Sequence, residues 1–344
     1  MSDNSQGPPT VISTEKATVR FKWFRMSRRL FARLIWVVSL TGLLLRLTVR
    51  DRFHPLALIF YATPIPALPI WHLLAIAAWG RSEKAKLFRT RLSPNLVNAA
   101  ILSGLIVWAY RSEYVDQAIP AAPNELQIVF WNAAHSASGV PRVASQIREW
   151  NPDIIGLVEA DRKNYLITDE WTREFPDYEV AGTVFGGLLA VRGTIVRQQT
   201  HVLEPTSWCQ QFDVRVDDHE FTLLLVDISS RLSRSRSTPL RDLAVLAESL
   251  SDRPLMIMGD FNTPDDSVWL VPLKAHCREL FRLRGRGYAA TWPIPFPVLC
   301  LDQMWVNESV TPSICDHYWS YLSDHCPVHA RISFRVSKER GEVQ

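Results

Sequence analysis

The chain has 344 residues, of which 47% are hydrophobic and 21% are charged, and it contains five cysteines. This composition excludes an intrinsically disordered chain, a collagen-like repeat and a small disulfide-rich scaffold. The formal net charge of +3 combines two opposite parts: residues 1–116 hold 16 Lys/Arg and 6 Asp/Glu, a net of +10, which leaves 22 against 29, or −7, for residues 117–344.

The N-terminal third contains three apolar stretches after a basic segment, 1–29, that we predict to be cytoplasmic. The stretches are Leu30–Val49, Pro55–Trp79 and Leu92–Tyr110. Each is long enough to cross roughly 30 Å of hydrocarbon as a helix, so we predict a membrane region over 30–111 with about three transmembrane helices. Buried core helices are the alternative, but tryptophans near several ends of these stretches favour a bilayer.

Charged and proline residues within these stretches allow more specific predictions. Arg46 lies near the end of the first stretch, where its guanidinium is expected to extend toward the lipid headgroups. Pro64, Pro66 and Pro69 interrupt the second stretch, which is expected to kink or to divide into a re-entrant hairpin.

Loop cations predict the orientation in the membrane. Lys and Arg are concentrated before the first stretch and again over 81–91, after the second, and short loops rich in these residues stay in the cytoplasm. Three crossings from a cytoplasmic N-terminus place the remaining chain outside the cytoplasmic membrane. A re-entrant second stretch would reverse that assignment.

The acidic remainder is predicted to comprise a linker over 112–125, a domain over 126–335 and a tail over 336–344. Strand patterns alternate with amphipathic helix patterns in the domain, which indicates a layered α/β fold. The predicted strands are Leu126–Trp131, Ile154–Val158, Leu188–Val191, Phe221–Val226, Leu255–Met258, Gln303–Val306 and Val328–Phe334, and the predicted helices are Val140–Trp150 and Pro239–Leu250. All five cysteines lie here, either in one or two disulfides or as buried apolar side chains.

Polar residues follow several of these strands at their carboxyl ends. They are Asn132, Glu159, Asp227, Asp260 and Asn262, while Asp324 and His325 precede the last strand. Each alone could belong to an ordinary turn or loop. Because the strand ends of one sheet meet at a shared edge, where α/β domains build their sites, the whole set predicts a functional site.

Taken in chain order, five sequence blocks resemble the endonuclease/exonuclease/phosphatase superfamily, which has a deoxyribonuclease I-like fold. The blocks are Ile128-Val-Phe-Trp-Asn132, Asp153-Ile-Ile-Gly-Leu-Val-Glu159, Met258-Gly-Asp-Phe-Asn262, Leu301-Asp302-Gln303 and Ser323-Asp-His-Cys-Pro327. The resemblance implies an α/β four-layer sandwich of two packed mixed β-sheets flanked by helices, and metal-dependent hydrolysis of a phosphate ester. Thr291-Trp-Pro-Ile-Pro295 and the N-terminal stretches look like a membrane-anchored bacterial branch of this group.

The resemblance also implies a metal site. Glu159 would be the main ligand, assisted by Asn132, and Asp324 would complete the shell. Carboxylate and amide oxygens are the donors that Mg²⁺ prefers, with Mn²⁺ as a substitute. We therefore expect a Mg²⁺-dependent enzyme.

Four further residues receive catalytic roles from the same resemblance. Asp260 would orient or activate the attacking water, and Asn262 would donate to the transition-state oxygens. His325 would act at the phosphoryl group as base, acid or charge stabiliser. Asp302 is expected to bond the far ring nitrogen of His325 and so fix its tautomer.

One position departs from the family pattern. Val226-Asp-Ile-Ser-Ser230 stands where many relatives have a histidine, and a carboxylate does not donate to a phosphate at neutral pH as an imidazolium does. Asp227 could bind metal or position Arg231, leaving Ser229 or Ser230 to contact phosphate, and His135 could line the cleft. An active enzyme is favoured over a degenerate binding protein because the other site residues are present.

Charge discriminates among substrates. Nucleases that bind duplexes gain affinity from a broad cationic surface, whereas this domain carries −7, so nucleic acid is possible but disfavoured. Two arginine sets, 231–241 and 278–286, are solvated faces or local phosphate contacts. We predict a small or lipid-linked phosphodiester or phosphomonoester as substrate, with an extracytoplasmic endonuclease or exonuclease and a non-catalytic binding module as alternatives.

Overall fold

The computed structural model describes residues 30–31, 33–79, 94–122, 124–161, 168–183 and 185–334. The predicted cytoplasmic segments 1–29 and 81–91 and the whole of the predicted tail, 336–344, lie outside these ranges. In the N-terminal third the described chain forms a helical segment of four helices. They are α1 (33–47), α2 (His54–Ala62), α3 (Leu68–Trp79) and α4 (Pro94–Glu113).

Prolines break the second predicted stretch, as expected. Helix α2 ends at Ala62, and Pro64 precedes a 3₁₀ turn at Ile65–Ala67. Among the described residues no single helix has both the length and the apolar character needed to cross a membrane. The pair His54–Ala62 and Ile65–Ala77, bent by 54°, reaches that length and composition only when its two parts are taken together.

The expectation for Arg46 was wrong, because its side chain is buried against the domain. Its Nε donates to the carbonyl oxygen of Thr63 at 2.7 Å and its Nη2 to that of Phe60 at 2.9 Å. Its Nη1 bonds the carboxylate of Asp266, in the domain. The free carbonyls at the end of α2 and this carboxylate satisfy the guanidinium in place of lipid headgroups.

After the helical segment, the described residues form fourteen strands, with helices between some of them. In chain order they are β1 (Tyr114–Asp116), β2 (Leu126–Asn132), β3 (Ile154–Val158), β4 (Glu179–Gly182), β5 (Leu188–Val191), β6 (Thr194–Glu204), β7 (Ser207–Val216), β8 (His219–Asp227), β9 (Leu255–Asp260), β10 (Arg278–Glu279), β11 (Gly285–Tyr288), β12 (Asp302–Val306), β13 (Val310–His317) and β14 (Val328–Phe334). The domain helices are α5 (Val140–Trp150), α6 (Thr168–Glu174), α7 (Ser237–Ser249), α8 (Val271–Lys274) and α9 (Leu280–Arg284).

The strands form two mixed sheets. The first has eight strands in the order β1-β11-β13-β14-β2-β3-β5-β4, and the second has six in the order β10-β12-β9-β8-β7-β6. Strands β2 and β3 pair in parallel in the first sheet, as β8 and β9 do in the second, and both pairs have antiparallel neighbours. The mixed character of both sheets agrees with the expected fold class.

Apolar side chains fill three layers. Between the sheets, residues of β2 and β14 pack against residues of β7, β8 and β9. Helices α5 and α6 cover the outer face of the first sheet around Trp131 and Trp171. Helix α7 and residues 270–277 cover the second sheet around Phe261 and Trp305. Two packed mixed sheets flanked by helices are therefore confirmed.

Part of the predicted linker has regular secondary structure, and the structure decides between the two alternatives for the cysteines. The predicted linker includes the end of α4 and strand β1, because Tyr114 packs on Tyr288 with ring centroids 5.7 Å apart and β1 pairs with β11. All five cysteines are free and buried. The alternative of buried apolar side chains is therefore the one observed.

Candidate active site

Strand register brings three carboxylates to one edge of the second sheet. Asp227 lies opposite Asp260 in the parallel pair of β8 and β9, and Asp302 lies opposite Asp260 in the antiparallel pair of β9 and β12. Directly paired residues point to the same face of a sheet. The three side chains therefore stand side by side where β8 and β9 end and β12 begins.

The first sheet contributes Asn132 and Glu159 to the same region. Asn132 ends β2, and Glu159 directly follows β3, its parallel neighbour. The Nδ2 of Asn132 donates to Oδ2 of Asp260 at 3.0 Å, while its Oδ1 accepts from the backbone N–H of Ala134 at 2.9 Å. A side-chain hydrogen bond thus joins the edges of the two sheets.

His325 is fixed from both its backbone and its ring. Its N–H donates to Oγ of Ser323 at 3.1 Å, and its carbonyl oxygen accepts from Nε1 of Trp131 at 2.9 Å. Its Nδ1 lies 2.8 Å from Oδ2 of Asp302, which is the hydrogen bond that the sequence predicted. The other ring nitrogen, Nε2, lies 3.9 Å from Oδ2 of Asp260.

Negative charge dominates the electrostatics of this region. Burial raises the pKa of Asp260 to about 6, with Asp302 adding to the rise. Burial, Asp260 and Glu159 together raise the pKa of Asp227 well above its ordinary value. Burial opposes the charge of His325, but Asp302 and Asp260 outweigh it and raise its pKa to about 10. One protonated imidazole therefore faces several carboxylates.

This excess of buried negative charge fits a bound cation. Ligand atoms of Asp260, Asp302 and His325 all lie within 4.8 Å of one another. Most donors in the region are hard carboxylate or amide oxygens, which suit a divalent ion such as Mg²⁺. The cluster differs from the predicted ligand set of Glu159, Asn132 and Asp324, although Asn132 contacts it directly.

Glu159 and His135 meet at the rim of the site. The Nε2 of His135 lies 3.4 Å from Oε2 of Glu159, and its Nδ1 lies 2.9 Å from Oδ1 of Asp161. Burial acts against the charge of His135, but the Asp161 hydrogen bond and the two carboxylates raise its pKa. Glu159 and His135 both have left-handed backbones, with φ of 49° and 54°. Such backbones are uncommon outside glycine and concentrate at functional sites.

Asn262 and Asp324 are placed beside the acidic edge by local bonds. The N–H of Asn262 donates to Oδ1 of Asp260 at 2.8 Å, and its Nδ2 donates to the carbonyl oxygen of Ile228 at 2.8 Å. The Oδ2 of Asp324 accepts from Nε1 of Trp292 at 3.1 Å. One N–H of the Asn262 amide is thus already engaged with the protein.

The expectation that Asp227 positions Arg231 has no support in the contacts. Within the described ranges, no hydrogen bond or ion pair joins the two, and Arg231 is exposed. Asp227 instead accepts a hydrogen bond from Trp208, its partner in β7. Ser229 is buried, and its Oγ accepts from the N–H of Arg231 at 3.4 Å.

Two residues that hold the site were not identified from the sequence. Arg236 is buried rather than solvated, and its Nε donates to the carbonyl oxygen of Asn262 at 3.2 Å. The Oγ1 of Thr291 accepts from the N–H groups of Leu301 and Asp302, each at 3.1 Å. Thr291 begins a noted sequence block, whereas nothing in the sequence separated Arg236 from its neighbouring arginines.

Comparisons with known proteins agree with this geometry. A model described as the Endonuclease/Exonuclease/phosphatase family matches residues 129–325. Curated relatives called uncharacterized protein YbhP, from Escherichia coli strain K12 and from Shigella flexneri, are 34% identical over 99 residues, which is 26% of this chain and 39% of each relative. The match therefore spans about two-fifths of the length of these relatives.

Solved structures share the fold. An endonuclease/exonuclease/phosphatase family protein from Bacteroides thetaiotaomicron has a TM-score of 0.51 at 16% identity and covers 63% of this chain and 100% of its own. A mannosyl-6-phosphatase from the same species has a TM-score of 0.50 at 16% identity, with coverage of 61% and 100%. At these identities the likeness concerns the fold alone.

Proposed function

The chain belongs to the endonuclease/exonuclease/phosphatase family, whose members are phosphoester hydrolases, and on that premise we propose that it is a membrane-anchored, Mg²⁺-dependent phosphoesterase. The observation that carries the proposal is the bonded set at the strand ends. A hydrogen bond from Asn132 orients the Asp260 carboxylate, and the hydrogen bond between Asp302 and Nδ1 of His325 orients the imidazole. Such mutual orientation is what hydrolysis of a phosphate ester requires of its acid, base and charge-stabilising groups.

Each side chain then has a defined task. A divalent ion held by Glu159, Asn132 and Asp324 would offset the negative charge that develops on the phosphoryl oxygens. Asp260, largely ionised at neutral pH with a pKa of about 6, accepts a hydrogen bond from the attacking water. His325, protonated at neutral pH with a pKa of about 10, donates from Nε2 to a phosphoryl oxygen.

Asn262 completes this arrangement by donating its remaining side-chain N–H to the transition state. Its other N–H and its backbone are held by Ile228 and Asp260, so the amide needs little reorganisation during the reaction. Burial, Asp260 and Glu159 raise the pKa of Asp227, so this carboxyl keeps its proton to a higher pH than an exposed aspartate does.

The position of the site relative to the helical segment supports a lipid-linked substrate. We call the contact between residues 46–51 and residues 264–269 the junction. At the junction, the Asp51 carboxylate accepts from Oγ of Ser267 at 2.5 Å and from the N–H of Val268 at 3.0 Å. Asp266 is only four residues beyond Asn262, at most about 14 Å along an extended chain. The active site therefore lies close to the helical segment.

The surface of the helical segment favours a bilayer as its surroundings. Most of the exposed large apolar side chains of the described chain belong to it, including Leu34, Val37, Leu40 and Leu44 on α1. In water such a surface would be costly. Burying it in lipid would hold the active site near the headgroups.

The contacts of the helical segment also favour an extracytoplasmic domain. The end of α1, the break after α2 and the end of α4 all lie beside domain residues, through Arg46, Ile65 and Glu113. In sequence, the far ends of α1, α3 and α4 adjoin the cation-rich segments 1–29 and 81–91, for which the loop cations predict cytoplasm. A reporter fused after Asp116 that is active only in the cytoplasm should be silent, and an active one would reverse this orientation.

A substrate panel tests the proposal. The full chain in non-ionic detergent, with Mg²⁺, is offered a phospholipid, bis-p-nitrophenyl phosphate, single-stranded oligonucleotide and plasmid DNA. We expect chelator-sensitive hydrolysis of the first two. Cleavage of DNA at physiological salt would instead favour a nuclease, and no turnover of any substrate would favour a binding module.

A further inference from the structure

A cavity of about 390 Å³ lies between the helical segment and the domain, and none of the residues proposed for catalysis lines it. Arg46 and Arg50 contribute from the helical segment, and Lys274 and Arg282 contribute from the domain. At about 30 Å³ for each water molecule, the space holds on the order of ten. The cavity is therefore large enough for a small polar group together with some of its water.

Carboxylates neutralise only part of this cationic lining. The four cations face three acids, Glu113, Asp265 and Asp266, which gives the lining a formal charge of +1. Arg46 pairs with Asp266. Arg282 pairs with Asp265 at 2.5 Å and lies 3.8 Å from Glu113. Arg46 and Arg282 thus form ion pairs with all three carboxylates.

The other two cations keep their charge and most of their donors. Arg50 donates from Nη1 to the carbonyl oxygen of Asp266 at 3.0 Å, and Lys274 donates from Nζ to that of Asp265 at 2.9 Å. No described carboxylate lies within 4.0 Å of either cation. A guanidinium has five N–H donors and an ammonium has three. The carbonyl contacts orient both groups without neutralising them.

We propose that this cavity is a second, non-catalytic site for a phosphate group, bound by Arg50 and Lys274. Arginine can bind two phosphate oxygens at once, and lysine adds a compact point charge. The group belongs either to an anionic phospholipid or to inorganic phosphate. The lipid source rests on the proposed membrane anchoring, because the cavity would then lie at headgroup level, whereas the phosphate chemistry does not depend on it.

Binding to the full chain in non-ionic detergent tests the site. Short-chain phosphatidylglycerol and inorganic phosphate are titrated separately by calorimetry. The variant Arg50→Gln/Lys274→Gln should bind at least one of them about tenfold more weakly than the wild type. Arg215→Gln/Arg253→Gln, which removes two exposed cations elsewhere in the domain, should bind normally. Arg50→Lys/Lys274→Arg keeps both charges, so it should retain binding if Arg50→Gln/Lys274→Gln binds weakly because it lacks those charges.

The outcomes separate the ligand sources and the two sites. Weakening only for the phospholipid supports a lipid ligand, and weakening for inorganic phosphate supports the free anion. Phosphate that binds in the catalytic cleft would survive the double substitution, so undiminished binding of both probes overturns the proposal. Absence of binding to the wild type overturns it as well. Turnover of bis-p-nitrophenyl phosphate, measured on the same preparations, reports on the proposed catalysis independently.

Discussion

The imidazole of His325 stays positively charged over a wider pH range than an exposed histidine does. Its burial disfavours the charge, but Asp302 at 2.8 Å and Asp260 at 3.9 Å favour it more strongly. The resulting pKa of about 10 makes Nε2 a donor at neutral pH. Of the three roles that the sequence left open for His325, this charge state supports charge stabilisation or proton donation.

The raised pKa of His325 predicts a loss of stability at alkaline pH. Because its pKa rises from 6.5 to about 10 on folding, its contribution is complete below pH 6.5 and disappears as the pH rises through 10. In chelator, the thermal unfolding midpoint of the full chain should therefore fall across this window. Asp302→Asn should flatten the decline, whereas Asp252→Asn, an exposed aspartate paired with Arg253, should leave it intact. An unchanged decline in Asp302→Asn would count against the pairing.

At the residue scale, the sequence predicted the residues of the active site better than it predicted which residues pair with one another outside the site. The polar residues at strand ends were predicted to converge, and Asn132, Asp260 and His325 do so, joined by Asp302, which the family resemblance had added. The burial of Arg46 was not predictable, because its partner Asp266 lies 220 positions away. Charge is visible in a sequence, whereas the carboxylate that neutralises it is a product of the fold.

Strand β9 depends on a glycine immediately before Asp260. A Cβ added at Gly259 would lie 2.1 Å from the backbone oxygen of Val226, in the paired strand β8. Gly259→Ala should therefore separate the strands that align Asp227 with Asp260 and cost about 2–3 kcal/mol or more. Gly104→Ala is a matched control, since no atom lies within 4 Å of its Cβ position. Thermal unfolding compares the two, and equal midpoints would contradict this packing.

The junction predicts that helix α1 supports the active site from a distance. Arg46→Ala removes the partner of Asp266. Because Asp266 is partly exposed, we expect the free energy of unfolding to fall by about 3 kcal/mol, the low end for a broken buried ion pair. The loop 264–269 should then exchange its amide hydrogens faster, and turnover should fall because this loop continues from Asn262. Arg33→Ala changes an exposed arginine on the same helix and should have neither effect. Normal exchange and turnover in Arg46→Ala would rule out this support.

At the element scale, the missed strands include the pair β6 and β7, whose cross-strand contacts are partly polar. Strands β6 and β7 pair through polar side chains, with Oγ1 of Thr200 donating to Gln210 at 2.8 Å and Nε2 of His201 lying 3.1 Å from Gln211. Strand β6 lies at the edge of its sheet and is largely exposed. Hydrophobic patterns detect strands buried in a core. They do not detect an exposed edge strand such as β6, which is held by polar cross-strand contacts.

At the scale of the whole molecule, the two oppositely charged parts of the chain meet through specific ion pairs. From the basic N-terminal third, Arg46 bonds the Asp266 carboxylate, and the Asp51 carboxylate accepts from the N–H of Val268. From the acidic domain, Arg282 donates to the carbonyl oxygen of Ser112. Composition predicted two parts of opposite charge, but not that their contact would lie next to the strand ends of the active site. This contact places the proposed active site next to the helical segment, as the proposed action near a membrane surface requires.

The most direct measurement is hydrolysis of bis-p-nitrophenyl phosphate by the full chain and by two single variants. The wild type should turn over with Mg²⁺ and stop with chelator. Glu159→Ala and His325→Ala should lose at least about 100-fold in kcat while keeping the fold, whereas His276→Ala, a histidine outside the site, should match the wild type. Wild-type turnover in either Glu159→Ala or His325→Ala, or turnover that survives the chelator, would contradict a metal-dependent phosphoesterase site at these strand ends.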